Sequence, residues 1–409
     1  MNALTETHTD GTSAPSLRIT FWGVQGSCAM SVEPREVVEF RRLLARDAIK
    51  RVVEDLHLKA ARDGPDAVQR ALDALQHDEA AVDAYQRELG QATLPTFGGE
   101  TTCVSVETAT GDVLVFDGGS GIRNCGKHFA SQWGDRPRVI SLFMSHEHLD
   151  HRSGLPFSQF SFARPAFDVH VYGTRSCLAA LDERYGMFSR RVTPVMHYDD
   201  PIDYRLMAAR FAGTEISDPA RPAATADGDG GDGGGDAPEH WRVHDIAAPV
   251  PVGDATVTAF DVYHGPTRCL AYRVDAGPAA FVFCTDHELR HGDDPDDPRQ
   301  RRSLAAEARL GEHCRGVDLA YFDGQYLLDE YLGRTGIGPT AAVPRLDWGH
   351  SCVEDVQRRC RDWQVKHAII GHHDPERGWR ARRDLDVRLR DSGEPGRIEM
   401  AKAEMVVTL

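Results

Sequence analysis

Ser145-His146-Glu147-His148-Leu149-Asp150-His151 follows directly on the apolar run Val139-Ile140-Ser141-Leu142-Phe143-Met144. The run reads as a buried strand, so three histidines and one aspartate fall within six residues of its end. Imidazole and carboxylate form the ligand set of zinc and similar divalent ions. In extended chain His146 and His148 point to the same side. Asp150 and His151 follow where the chain must turn. Four ligands this close cannot converge on one tetrahedral ion and still leave room for a substrate. They suit two adjacent ions, with His146 and His148 on one and Asp150 and His151 on the other.

Composition bounds what such a site can serve. The 409 residues can form one large domain or two smaller ones, and 41% hydrophobic residues suffice for a core. The net charge is −16, of which the segment 218–239 supplies −5 and the segment 292–298 supplies −4, so the remainder is acidic too. An acidic surface argues against non-specific nucleic-acid binding, which needs basic stripes. It leaves room for a small anion, because metal ions bring their own positive charge. The nine cysteines are scattered with no C-x-x-C pair, the pattern of reduced thiols in a cytoplasmic protein rather than a disulfide framework. No signal peptide and no membrane-length apolar run are visible.

Along the chain, residues 1–16 are polar and read as disordered. Residues 17–22 alternate toward a strand, and Gly23-Val24-Gln25-Gly26-Ser27 reads as an ordinary turn or a backbone close to a ligand, with the turn preferred. Residues 32–93 switch to helical periodicity, broken at Gly64-Pro65 and at Asp78, which predicts three helices in an insertion. The insertion suits a lid, a homodimer contact or structural elaboration. Strands return at 104–108 and 113–116, joined by a Gly111-Asp112 hairpin turn and ending in Asp117-Gly118-Gly119. Asp117 there suits either a turn or a hydrogen bond to a ligand histidine. Further strands are expected at 169–173, 255–263, 270–274, 281–285, 317–322 and 367–371, helices at 176–185, 300–314 and 352–364, and one more strand in the tail, 395–409. The Gly- and Asp-rich stretch 218–239 reads as a flexible acidic loop.

A pattern emerges at the strand ends. Asp117, the cluster 146–151, His264, Asp286, His350 and His372 each stand just past an apolar run, where open sheets place their ligands. A two-metal site would use His146, His148 and His264 on one ion, Asp150, His151 and His372 on the other, and Asp286 between them.

These stretches resemble the metallo-β-lactamase fold superfamily. Within it they resemble the phosphodiesterase-type branch of cyclic-nucleotide phosphodiesterases and tRNA 3′-processing endonucleases. The motifs are Gly23-Val24-Gln25-Gly26-Ser27, Phe97-Gly98-Gly99-Glu100-Thr101-Thr102-Cys103, Phe116-Asp117-Gly118-Gly119-Ser120-Gly121, the cluster 145–151, Thr285-Asp286, Tyr321-Phe322-Asp323-Gly324-Gln325-Tyr326, Gly349-His350-Ser351 and Gly371-His372-His373-Asp374-Pro375. The resemblance implies an α+β fold, an αββα sandwich carrying a helical insertion, in one hydrolase domain over 17–409. It implies a dinuclear site of two divalent ions, zinc first, with manganese or iron as alternatives. Of the adjacent pair His372 and His373, it selects His372. It implies that Asp150, Asp286 and His350 serve catalysis, with His350 donating a proton to the leaving group.

The expected activity is hydrolysis of a small cyclic or oligonucleotide phosphodiester by a hydroxide held between the ions. Another hydrolase of the same fold, acting on a thioester, lactone or nucleic-acid end, is the alternative, and a non-catalytic nucleotide sensor is a third. Relatives usually carry Asn where Glu100 stands, and the antibiotic-hydrolysing members usually carry Cys or His where Asp286 stands. An Asp there favours phosphoester chemistry. The insertions are acidic or mixed, unlike the RNA-binding arm of the tRNA-processing relatives.

Overall fold

The computed structural model describes residues 6–8, 16–31, 34–88, 97–134, 136–191, 204–218 and 240–409. The chain divides into two compact units, Ser31–Thr96 and the rest. The smaller unit holds α1 (Pro34–Asp63), α2 (Pro65–His77) and α3 (Glu79–Glu88). Pro65 opens α2, where its missing N–H is no loss, and Asp78 Oδ1 accepts from Ala80 N at 2.9 Å to start α3. Within this unit Asp55 accepts from Tyr85 Oη at 2.5 Å and pairs with Lys59 at 2.9 Å.

The larger unit is built on two sheets. The first collects β1 (Glu6–His8), β2 (Leu17–Gly23), β3 (Cys103–Thr108), β4 (Val113–Phe116), β5 (Val139–Phe143), β6 (Asp168–Gly173), β7 (Arg210–Ser217) and β8 (Trp241–Asp245). The second collects β9 (Val250–Val252), β10 (Ala255–His264), β11 (Thr267–Ala276), β12 (Ala279–Cys284), β13 (Leu319–Asp323), β14 (His367–Gly371) and β15 (Arg397–Met400). The last strand, β16 (Met405–Thr408), returns to the first sheet between β1 and β2. β4 to β8 run parallel in one sheet and β12 to β15 in the other.

Period-two alternation explains the layering. In β4, Leu114 and Phe116 face the core shared by both sheets, while Val113 and Val115 face the outer layer. Phe116 stacks on Phe143 at 5.5 Å and on Phe283, from the opposite sheet, at 5.3 Å. Such pairs add roughly 0.5–1.5 kcal/mol each to simple burial. Outside the first sheet pack α4 (Ile122–Gln132), α6 (Gln159–Phe162) and α7 (Arg175–Tyr185), with the short α5 (Leu149–Arg152) between β5 and α6. Outside the second pack α8 (Pro298–Cys314), α10 (Val353–Trp363) and α11 (Trp379–Arg390), with the short α9 (Leu328–Tyr331) between α8 and α10 in sequence. The order of layers is helix, sheet, sheet, helix, an αββα sandwich.

Two expectations need correction. Residues 395–409 form two strands in different sheets, because the chain reverses at 401–404, where Glu404 takes φ 63°. Residues 6–8, expected to be disordered, pair in parallel with β16; 1–5 and 9–15 lie outside the described residues. The acidic stretch also lies outside them, apart from Asp218. All nine cysteines are free thiols, eight of them buried. Among the described residues no helix is long and apolar enough to cross a membrane.

Candidate metal centre

The parallel strands of both sheets end at one edge of the sandwich, and the cluster sits there. After β5 the chain bends at Glu147, and His148 (φ −61°, ψ 150°) is extended and precedes the first turn of α5. His146 and His148 are therefore delivered by the non-helical segment after β5, and Asp150 and His151 by a helical turn. That change of backbone separates the four side chains into two sets. His264 closes β10, Asp286 follows β12 and His372 follows β14. Ligand-type atoms of His146, His148, His264 and Asp286 lie within 4.8 Å of one another, as do those of Asp150, His151 and His372.

Asp286 stands between the two sets. Its Oδ2 lies 3.6 Å from both His146 Nε2 and His264 Nε2. Its Oδ1 lies 3.3 Å from His151 Nε2 and 3.2 Å from His372 Nε2. Asp150 Oδ2 lies 3.2 Å from each of His151 and His372.

Three carriers of this geometry have left-handed backbones: Asp117 (φ 59°), Asp286 (φ 43°) and His372 (φ 52°). Residues other than glycine seldom adopt that region, and such strain gathers at functional sites. The twist at His372 turns its ring to the carboxylates. His373 turns away, its Nε2 lying 2.9 Å from Ala401 O.

Hydrogen bonds fix which nitrogen each histidine offers. Asp117 Oδ2 holds His151 Nδ1 at 2.7 Å and accepts from Ser145 Oγ at 2.8 Å. Ser145 Oγ, its proton so engaged, accepts from His146 Nδ1 at 2.9 Å. Gly349 O accepts from His264 Nδ1 at 2.9 Å. Gln325 donates to Asp374 and accepts from His372 Nδ1 at 3.0 Å. Each of these four rings thus turns a bare Nε2 to the centre. His148 instead offers Nδ1, since Thr267 Oγ1 lies 3.2 Å from its Nε2.

The residues fit divalent ions. His146 Nε2 is buried with no hydrogen-bond partner, a costly state unless a cation takes the lone pair, while His151, buried too, is held above the usual imidazole range by Asp286, Asp150 and Asp117, carboxylates that call for a positive charge at this place. His264 Nε2 and His148 Nδ1 face each other at 3.1 Å, a pair that a shared proton or a cation would satisfy. Burial holds His146 well below the usual imidazole range, lowers His148 and takes His264 down to about 4, so these rings are neutral, the form that ligates metal. Against burial, His151 and His372 hold the Asp150 carboxyl below its usual range, and His372 and His151 do the same for Asp286.

His350 differs. Its Nδ1 lies 3.0 Å from Asp323 Oδ2 and 4.0 Å from Asp286 Oδ2, and its ring stacks on His372 at 4.7 Å. Burial would lower its pKa, but Asp323, then Asp286 and Asp150, raise it to about 9.

Sequence reasoning missed part of the surroundings. The segment 23–27 is more than a turn: Ser27 N donates to Asp150 Oδ2 at 2.9 Å, and a Cβ on Gly26 would come 2.4 Å from His372 Nδ1. At Glu100 the backbone carbonyl matters, accepting from Val24 N and Gln25 N at 2.9 and 3.0 Å. Two further sets are compact: Asp286, His350 and His372, which brings His350 beside the centre, and His291, Cys352 and Asp355; the last gathers at the start of α10, where Asp355 Oδ2 accepts from Cys352 N and pairs with His291.

No family model matches the chain, and no curated protein matches it. Solved structures overlay it over most of its length. The Zn(2+)-bound PqqB from Methylobacterium extorquens is 12% identical with a TM-score of 0.49, covering 96% of this chain and 100% of that one. A diphosphatase from the PhnP family is 13% identical with a TM-score of 0.49, covering 96% and 97%. The metallo-beta-lactamase fold protein YhfI from Bacillus subtilis is 12% identical with a TM-score of 0.48, covering 96% and 100%.

Proposed function

We propose that the protein is a dinuclear metal-dependent hydrolase of phosphodiesters, acting on a small nucleotide-type substrate. Asp286 carries this reading, with one carboxylate oxygen turned to His146 and His264 and the other to His151 and His372. A carboxylate so placed suits two ions side by side. His146, His148 and His264 would hold one ion, Asp150, His151 and His372 the other, with Asp286 shared. Two bound ions would supply a nucleophile at neutral pH by acidifying water and would offset charge on the phosphate.

The remaining work falls to this chain's own residues. Asp323 fixes His350 Nδ1 and favours the charged ring, so the proton on Nε2 is the one available to a departing ester oxygen. Ser27 N and His372 hold Asp150 from two sides. Asp117 and Ser145 keep the tautomers of His151 and His146. An Asp rather than a Cys or His at 286, together with His350, supports phosphoester over β-lactam chemistry.

The test is a substrate panel on metal-loaded protein: bis(p-nitrophenyl) phosphate, a set of cyclic nucleotides, a thioester and a lactone. We expect hydrolysis of diesters. Turnover of the thioester or lactone alone would overturn the substrate class and leave the metal site standing.

A further inference from the structure

Trp348 is 54% exposed, yet the turn that carries it is firmly held. Asp347 and Gly349 on either side take φ of 68° and 89°. Glu288 spans both, accepting from Asp347 N and from Gly349 N at 2.8 Å each. Arg290 and Arg299 bind the Asp347 carboxylate at 2.6 and 2.9 Å. Trp348 N donates to Arg345 O at 3.1 Å, and the buried Arg345 guanidinium lies 5.6 Å from the Trp348 ring centroid. Left-handed backbone on both sides and a buried carboxylate beneath do not serve to hide the indole. They hold it out at a set place.

The turn leads directly into the metal centre. The next residue, Gly349, accepts from His264, and the one after is His350. A Cβ on Gly265, in the turn after β10, would lie 3.8 Å from Asp347 O. The same turn reaches His148 through Thr267. Between His148 and Asp150 stands Leu149, 64% exposed. Two exposed apolar residues, Trp348 and Leu149, thus stand within two residues of site histidines and aspartate, and phosphate alone would not use them.

We propose that Trp348 is a specificity-determining platform on which a nucleobase of the substrate stacks. The proposal rests on the phosphodiesterase reading, and its test separates the two. Adenosine 5′-monophosphate and ribose 5-phosphate carry the same phosphate with and without a base. Their binding to zinc-loaded protein is measured by calorimetry for wild type, Trp348→Phe, Trp348→Leu and Trp348→Ala. We expect wild type to prefer the nucleotide by about 5- to 100-fold, the worth of one base stacked on an aromatic ring. Trp348→Phe should keep most of that preference, and Trp348→Leu and Trp348→Ala should lose it while still binding ribose 5-phosphate and retaining zinc. No preference in wild type, or a preference that survives in Trp348→Leu, overturns the platform. An equal loss for both ligands overturns it too, because the turn would then be structural. Bis(p-nitrophenyl) phosphate turnover by the same wild-type preparation reports on the phosphodiesterase reading independently.

Discussion

Asp323 Oδ2 lies 3.0 Å from His350 Nδ1, and this contact separates His350 from the ligand histidines. His146, His151, His264 and His372 use Nδ1 on neutral acceptors or on Asp117 and turn Nε2 to Asp286, at 3.2–3.6 Å, whereas the closest approach of His350 to Asp286 is Nδ1 at 4.0 Å. We expect His350→Ala to lower kcat by about 10²–10⁴-fold with metal content unchanged. Asp323→Asn should cost less, about tenfold, by loosening the ring. Elemental analysis beside kinetics checks both. Loss of an ion from His350→Ala would make His350 a ligand.

Asp117 never reaches the centre, but it orients a ring that does. It accepts from Ser145 N at 2.7 Å as well as holding Ser145 Oγ and His151 Nδ1. Asp117→Asn should weaken metal binding by about 10–100-fold with the fold retained. Competition against a chelator of known affinity measures it.

Gly349 meets two demands at once. Its φ is 89°, and a Cβ there would come 2.1 Å from His264 Nδ1. Gly393 shares the left-handed backbone (φ 71°) with nothing within 4 Å. Gly393→Ala should cost about 1 kcal/mol of stability and leave metal binding intact. Gly349→Ala should also displace His264 and reduce zinc retention. Equal zinc affinity in the two variants would contradict this.

Glu399 supplies a pH dependence away from the centre. Burial would raise its pKa, but His367 at 2.9 Å, then Arg397 and Lys402, bring it from 4.5 to about 2. A carboxylate depressed in the folded state contributes stability that is complete above pH 4.5 and is lost as pH falls toward 2. The contribution is about 3 kcal/mol. Urea unfolding of wild type and Glu399→Gln should show a gap that narrows over this range. A constant gap would exclude the ion pair as its source.

What the sequence made legible was local. The spacing from His146 to His151 lies within one strand end and one helical turn, and His264, Asp286 and His372 each follow an apolar run. The contacts that complete the centre are far apart in the chain: Gly26 against His372, Asp117 with His151, Gln325 with His372. No periodicity records them. The left-handed backbones at Asp286 and His372 are equally silent, since tertiary packing overrides the residue's own preference. The helix α11 escaped because its charged residues mask the Leu385 and Leu389 stripe that packs beneath the second sheet. In the tail, β15 (Arg397–Met400) and β16 (Met405–Thr408) are short and close in sequence, and only their hydrogen-bond partners assign them to different sheets.

The sharing of Asp286 between two ions is tested most directly by metal stoichiometry. Wild type and Asp286→Ala are loaded with zinc, freed of excess by gel filtration and analysed for metal per chain. We expect two ions in wild type and at most one in the variant. A single ion in wild type, or two retained by Asp286→Ala, would contradict a carboxylate that joins two metals.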